Sequence, residues 1–422
     1  MRDGGRLSAA IEVLEDIELR HRPARLALKA WGEASRFAGS KDRAFVSGLV
    51  LDALRRRRSL GWMMGTEAPR AVALAALRFS WDWSLERIVS AASEEPHGPG
   101  GLAVEELGAL ETPRSLDDAP LPVHGDYPDW LDPHLERVYG EARAQEAAAL
   151  AERAPVDLRV NLIKTDPQRA AKVLEPLKAE HVALLAQAFR IAAPDPTERA
   201  GSVETIPAFG KGWFEVQDLG SQLAAAAAGE VKGKQVLDFC AGGGGKTLAL
   251  AGAMGNTGQL YAYDNDARRM ADLIPRATRA GVRNLQVRSP VEKDPLRGLE
   301  GKMDVVFVDA PCTGTGTWRR HPDTKWRLTP EQLERRMAEQ DKVLDEAAPQ
   351  VKPGGRLVYV TCSILAEENE DRLAAFRERH PGFAVKPIDL ADLPTTPEGY
   401  LRMTPLRTGT DGFFVAVLER SA

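Results

Sequence analysis

The second half of this sequence predicts an α/β fold with a doubly wound, mostly parallel sheet, and three observations carry the prediction. Short apolar runs near residues 236–239, 260–264, 285–287, 305–309 and 356–361 alternate with helical stretches, the order that builds a parallel sheet. Four of these runs end in a polar or reactive side chain, where open α/β sheets bind ligands. The chain before residue 211 keeps a different periodicity, helical at first and then mixed. Three domains are therefore expected: 1–125, all-helical and ending in an acidic linker; 126–210, a small α+β segment; and 211–422, the α/β domain.

In the first domain Ile11, Leu14 and Ile17 keep helical spacing, and Pro23 suits the start of a helix carrying Leu26, Leu28 and Trp31. Ser40 or Asp42 can cap a third helix, whose Phe45, Val46, Leu49, Val50 and Leu54 form one stripe. Arg55 to Arg58 then spread over most of a turn. Residues 1–70 hold 14 basic against 9 acidic side chains, so the run suits either an RNA-facing surface or a solvated helix face. Residues 91–120 reverse the balance, with 7 acidic and 1 basic, and their Pro and Gly content reads as a linker.

From Tyr127 two helices broken near Gly140 are expected, then a strand over 156–164 and a helix opened by Asp166-Pro167. A further strand lies within 209–217. This block is short and free of cysteine, which suits substrate positioning.

The run Val236 to Thr247, VLDFCAGGGGKT, reads as strand, tight turn and helix start. Glycines let the backbone approach a ligand, and the N–H groups of the next helix favour a polar or anionic one. The run LYAYD places Asp264 roughly 20 residues past the glycines, the separation at which such folds set a carboxylate on ribose hydroxyls. VVFVDAPCTGTGT ends a buried strand in Asp309, Pro311 and Cys312, and RLVYVTCS puts Cys362 just past another. Gly412 to Leu418 makes a last strand that can pair antiparallel at one edge.

The chain has 422 residues, 43% apolar and 28% charged, with a net charge of −5. That balance argues against a protein that coats nucleic acid generally, while allowing local basic faces. No run of about 18 apolar residues suggests a membrane span, and the N-terminus lacks the apolar core of a signal peptide. A cytoplasmic location is expected. Three cysteines without CxxC spacing suit a reducing compartment and exclude a disulfide scaffold or structural zinc; no metal is expected.

With these residues in place, the sequence resembles the RNA cytosine-C5 methyltransferase family. CAGGGGKT is similar to the family's glycine motif, DAPCTGTG to its substrate motif, TCS within LVYVTCSILAEENE to its nucleophile motif, and DGFF at Asp411 to Phe414 to its closing motif. RRHPDTKW after DAPC is similar too. The helical front, with KDRAFVSGLVLDALRR, resembles the NusB-like RNA-binding domain of the bacterial ribosomal branch. The fold implied is a Rossmann-like methyltransferase domain preceded by an all-α NusB-like domain and a small α+β segment. Two positions depart from the family: Gly243 stands where proline is usual, and Ser289-Pro290 where an acid often follows the third strand, with Glu292 the nearest carboxylate.

The resemblance implies S-adenosyl-L-methionine as cofactor. Cys240, Ala241, Gly242, Gly243, Gly244, Gly245 and Lys246 would pass along its methionine portion, Asp264 would accept its ribose hydroxyls, and Asp309 would border cofactor and base. Cys362 is implied as the nucleophile that adds to cytosine C6, Cys312 as a helper in releasing product, and Asp309 as the acid holding the cytosine edge. Bottom-up support is that the strands ending at Asp309 and Thr361 should be neighbours about 4.8 Å apart, with both thiols at one rim. Structural thiols sealing the sheet edge are the plain alternative.

Trp318, Arg319, Arg320, His321, Lys325, Trp326 and Arg327 form a basic, aromatic cluster, from which Arg319, Arg320 and Lys325 are expected to contact RNA. The target base should be unpaired or flipped out. The expected function is formation of 5-methylcytosine in small-subunit (16S) ribosomal RNA by a monomer. A tRNA methyltransferase, a non-catalytic NusB-like RNA-binding factor and a nicotinamide-dependent dehydrogenase are the rival readings.

Overall fold

The computed structural model describes residues 1–193, 195, 203–390 and 393–422. The chain divides into two compact units: Met1–Arg153 with Ala193–Ala200 and Thr317–Leu328, and Ala154–Ala192 with Gly201–Gly316 and Thr329–Ala422.

The first unit is helical among its described residues. Helix α1 (Asp3–Arg20) buries Leu7, Ile11, Leu14 and Ile17, the spacing that one helical face requires. Helix α2 (Ala24–Ala34) follows Pro23, whose fixed φ suits the entry. Helix α3 (Ser40–Arg55) starts at Gly39, whose N–H is accepted by Asp42 Oδ2 at 3.0 Å, so Asp42 closes the first turn from within it. Phe45, Val46, Leu49, Val50 and Leu54 then join the core. The unit runs on through the helices Asp132–Tyr139 and Arg143–Ala149, parted at Gly140, well past the expected boundary at 125.

The arginine run is not a bare basic patch: Arg55 is buried, while Arg56, Arg57 and Arg58 stay partly exposed, as a solvated face requires. The helix breaks at Arg56, and all four guanidiniums find carboxylates: Arg55 with Asp52 at 2.7 Å, Arg56 with Glu152 at 2.5 Å, Arg57 with Glu18 at 2.6 Å and Arg58 with Asp129 at 2.9 Å. They tie the unit together.

In the second unit β1 (Val156–Val160), β2 (Glu180–His181), β3 (Ala188–Ile191) and β4 (Phe214–Val216) form an antiparallel sheet in the order β2-β3-β1-β4. Asp166 caps the helix Pro167–Leu174 beside it by accepting the Arg169 N–H at 2.8 Å.

The large sheet holds β5 (Gln235–Asp238), β6 (Gln259–Tyr263), β7 (Leu285–Arg288), β8 (Met303–Asp309), β9 (Val351–Thr361), β10 (Phe383–Lys386), β11 (Leu401–Met403) and β12 (Phe413–Arg420). Its order is β10-β12-β9-β8-β5-β6-β7, with β11 paired to β12. Strands β5 to β9 run parallel, whereas β12 is antiparallel to β9. The last strand thus sits inside the sheet, and β10 takes the edge. Val305, Val306, Phe307 and Val308 are wholly buried, as expected of a strand covered on both faces. Each such side chain contributes about 1.5–3 kcal/mol relative to exposure.

Candidate active site

The sheet order reverses at β5, whose neighbours are β6 and β8, and the chain leaves β5 through the glycine turn. Gly242 (φ 47) and Gly244 (φ 85) occupy left-handed backbone that a side chain would strain, so the turn depends on glycine at these two positions. The carbonyl of Gly243 accepts from Arg276 Nη1 at 2.5 Å. An arginine from a neighbouring helix thereby fixes the position where proline is usual.

Asp264, just past β6, is 4% exposed and braces the turn. One oxygen accepts the Gly242 N–H at 3.1 Å and the other the Asp266 N–H at 2.9 Å. Both oxygens keep a lone pair. They border a cleft of about 210 Å³ lined by Phe239, Cys240, Tyr263, Asn265, Arg269 and Pro311, with one face of the helix Pro330–Ala347 opposite. A carboxylate able to accept two hydroxyls, aromatic walls and a tight glycine turn fit the ribose and adenine of a nucleoside, and thus S-adenosyl-L-methionine. Burial, then the nearby Asp264, Asp309 and Asp238 carboxylates, pushes the Cys240 thiol well up, so this wall thiol stays protonated.

Strands β8 and β9 pair side by side, Asp309 opposite Val360, and bring the two motif cysteines to one rim. Cys312 Sγ and Cys362 Sγ lie 3.4 Å apart. The bond to Cys362 and then burial raise the Cys312 pKa well above the ordinary thiol value. Cys312 therefore keeps its proton beside Cys362. On the same rim Lys246 Nζ pairs with Asp309 Oδ2 at 2.7 Å. Burial alone would lower the lysine's pKa; the Asp309 carboxylate outweighs it, and a charge on Cys362 adds to the rise.

The remaining polar residues of LVYVTCSILAEENE hold this rim from beneath. Asn369 Nδ2 donates to Ser363 O at 3.0 Å, and Glu370 pairs with Arg402. Glu368, wholly buried, accepts from Thr313 N at 2.8 Å and from Gln340 Nε2 at 3.0 Å, which clamps the turn carrying Cys312. The closing DGFF motif also has a local reason. A Cβ on Gly316 would meet Gly412 O at 2.1 Å, so the two backbones touch only as glycines, while the Phe413 ring lies 5.2 Å from Lys246 Nζ.

The structure thus brings Cys362, Cys312, Asp309 and Lys246 to one rim and Cys240 and Asp264 to the adjoining cleft. It does not hold out the whole basic cluster after DAPC. Arg319 and Lys325, expected to contact RNA, are 4% and 1% exposed, and Trp318 is 1% exposed. Lys325 Nζ donates to Arg55 O at 2.7 Å, and Arg319 O accepts from Arg55 Nη2 at 2.9 Å. A lysine and carbonyls that satisfy one another inside the helical unit are not at the surface; of the three, only Arg320 is half-exposed. Sequence reasoning missed Asn265, Arg269, Glu368 and Gln340. Asn265 was signalled by its place beside Asp264, whereas the others carry no local signal.

A parallel sheet reversing at a glycine turn, with an acid just past the next strand and an antiparallel last strand, fits an S-adenosyl-L-methionine-dependent methyltransferase. Residues 227–419 match the family model described as 16S rRNA methyltransferase RsmB/F. The chain is 30% identical to ribosomal RNA small subunit methyltransferase B of Erwinia tasmaniensis, over 92% of each chain. It is 29% identical to the probable enzyme of that name from Synechocystis, over 90% of this chain and 92% of the relative. The crystal structure of PH0851 matches 100% of this chain and 99% of its own, with a TM-score of 0.75 and 26% identity. The chain belongs to the RsmB/F family of ribosomal RNA methyltransferases.

Proposed function

We propose that this protein forms 5-methylcytosine in small-subunit ribosomal RNA, in the cytosol, with Cys362 as nucleophile. The observation that carries the reading is the pair of thiols 3.4 Å apart on the rim that also holds Lys246 and Asp309. Among the described residues no helix is long and apolar enough to cross a membrane.

Cytosine C5 is a poor nucleophile until the ring is made electron-rich. The Cys362 thiolate adds to C6, and the electron pair of the C5–C6 double bond moves toward the ring nitrogen edge held by Asp309. S-adenosyl-L-methionine would be held by Asp264 and the turn Cys240 to Lys246 and would supply the electrophilic methyl group that C5 takes up, leaving as S-adenosylhomocysteine. Loss of the C5 proton to a base then re-forms the double bond as the C6–S bond breaks and the Cys362 thiolate leaves. Sulfur suits both roles, since a thiolate is a strong nucleophile and a good leaving group. Cys312 keeps its proton beside the departing sulfur and steadies the charge that returns to it.

The test is replacement of Cys362 by Ala. Methyl transfer to 16S RNA should be abolished while S-adenosyl-L-methionine still binds, and bisulfite sequencing of cells without the protein should lose one cytosine signal in ribosomal RNA. Retained methyl transfer would overturn the mechanism. A lost signal in tRNA instead would move the substrate.

A further inference from the structure

The Gly244 N–H donates to Ala241 O at 2.9 Å, so Gly242 and Gly243 are the two central residues of a tight turn at the edge of the cofactor cleft. Gly242 occupies left-handed backbone (φ 47) and Gly243 does not, so the conformation at 243 does not itself require glycine. The Gly243 N–H has no acceptor among the described residues, and a Cβ built there would meet only Arg276 Nη1, at 3.6 Å, an ordinary contact. A ring carbon is therefore admitted where the chain carries its most flexible residue. The turn is instead fixed from outside. Arg276, on the helix Leu273–Ala280, donates through Nη1 to Gly243 O at 2.5 Å and through Nη2 to Glu215 Oε2 at 3.1 Å. Glu215 stands on β4, with its side chain 5% exposed, and its other oxygen takes Arg279.

We propose that Arg276 is a positioning residue for S-adenosyl-L-methionine: its planar fork ties the Gly243 carbonyl to the Glu215 carboxylate and gives the turn the rigidity that a proline ring would give it. The inference rests on the reading of the turn Cys240 to Lys246 as the cofactor's, and adds which side chains hold that turn in shape. A guanidinium can bridge a carbonyl and a carboxylate at once because its donors are fixed in one plane, and each bond is strengthened by the charge. A turn already held in its binding shape loses less freedom when a ligand arrives, so the restraint appears as affinity. Glu215 is anchored by its strand, where it lies opposite Arg159 of β1, so the small antiparallel sheet sets the position of the cofactor turn.

The test measures S-adenosyl-L-methionine binding to the full chain by titration calorimetry, across a double-mutant cycle of Arg276→Ala and Gly243→Pro. With Gly243 in place, Arg276→Ala should raise the Kd about tenfold, the scale of one charge-assisted hydrogen bond. In the Gly243→Pro background the same substitution should cost about twofold or less, because the ring now holds the turn. Arg276→Lys keeps the charge but loses the fork; its Kd should fall between the two, and it carries the cycle where the alanine variant does not fold. Glu215→Gln loosens the far end of the clamp, so it should weaken binding with Gly243 and lose that effect in the Gly243→Pro background. Weakening of equal size in both backgrounds would make Arg276 a support of the general fold and overturn the proposal. An unchanged Kd in both Arg276 variants, beside a parent that binds, would overturn it too, as would a Gly243→Pro chain that fails to fold or to bind. A parent that binds no S-adenosyl-L-methionine would overturn the reading of the turn itself, and the proposal with it.

Discussion

Lys246 and Asp309 form an ion pair at 2.7 Å that joins the first turn of the helix Gly245–Met254 to the end of β8. The lysine side chain is 11% exposed and the carboxylate 32%, so the pair is shielded on one side and open on the other. The cation holds the carboxylate in place at the rim.

Replacing Lys246 with Met should leave Asp309 without its counter-charge and lower kcat by about 100-fold or more, the usual scale for a positioned charge in a site. Lys246→Arg should recover part of the loss. Single-turnover methyl transfer measures it, and near-parental rates in the Met variant would remove the pair from the chemistry.

Glu368 clamps the turn that carries Cys312. In Glu368→Gln an amide NH2 at the Oε1 position would face both the Thr313 N–H and the Gln340 amide, and at the Oε2 position it would face the Thr313 hydroxyl that now donates there. The Cys312 turn should loosen, and release of product should slow more than addition. The readout is an RNA–protein adduct that persists through denaturing electrophoresis, as it should more strongly in Cys312→Ala. Lower stability without retained adduct would mark Glu368 as structural only.

Asp238 sits beneath the glycine turn, wholly buried, with Thr247 Oγ1 donating to Oδ2 at 2.6 Å and Oδ1 lacking a hydrogen-bond partner among the described residues. Burial, with added repulsion from Asp309 and Asp264, raises its pKa from 3.8 to about 7. A group with a raised folded-state pKa binds its proton more tightly when folded. Its stabilising contribution is complete below about pH 4 and is lost as pH rises through about 7. Asp238→Asn should flatten the fall in stability over that window, by at most about 1.4 kcal/mol per pH unit. Parallel melting curves for parent and variant at each pH would contradict this.

Lys325 belongs to the core of the helical unit. Lys325→Ala would leave a cavity and an unanswered Arg55 carbonyl, at a cost of about 2–4 kcal/mol. Thermal unfolding should register that cost while the folded variant keeps its RNA affinity. The opposite pattern would return Lys325 to an RNA-contacting role.

How far the sequence could be read depended on whether a feature is local. Strands such as 305–309 announce themselves by continuous burial, and the pairing of β8 with β9 follows from doubly wound topology, so the meeting of Cys312 and Cys362 was legible before any coordinates. Lys246 was readable only as a residue near the turn, because its partner lies on another strand. Glu368 and Gln340 were invisible for the same reason, since nothing in a glutamate's neighbours says that it will be buried under a distant turn. The basic cluster after DAPC misled because composition does not state which unit a segment packs into. Lys325 looks like a surface lysine until Asp126 and Arg55 are placed around it. The four consecutive arginines gave no sign of their ion pairs, the carboxylates being scattered from Glu18 to Glu152.

The helical unit takes Trp318, Lys325 and Trp326 from the segment Thr317–Leu328, and Trp326 Nε1 donates to Leu54 O at 2.7 Å. A ribosome adding about 5–20 residues per second takes on the order of 10–30 s to travel from Arg153 to Thr317. Throughout that interval the Leu54 and Arg55 carbonyls lack the Trp326 and Lys325 donors they meet in the finished fold and have only water as partner. The helical unit cannot finish before the catalytic turn has been made, so translation order makes completion of the first half depend on the second.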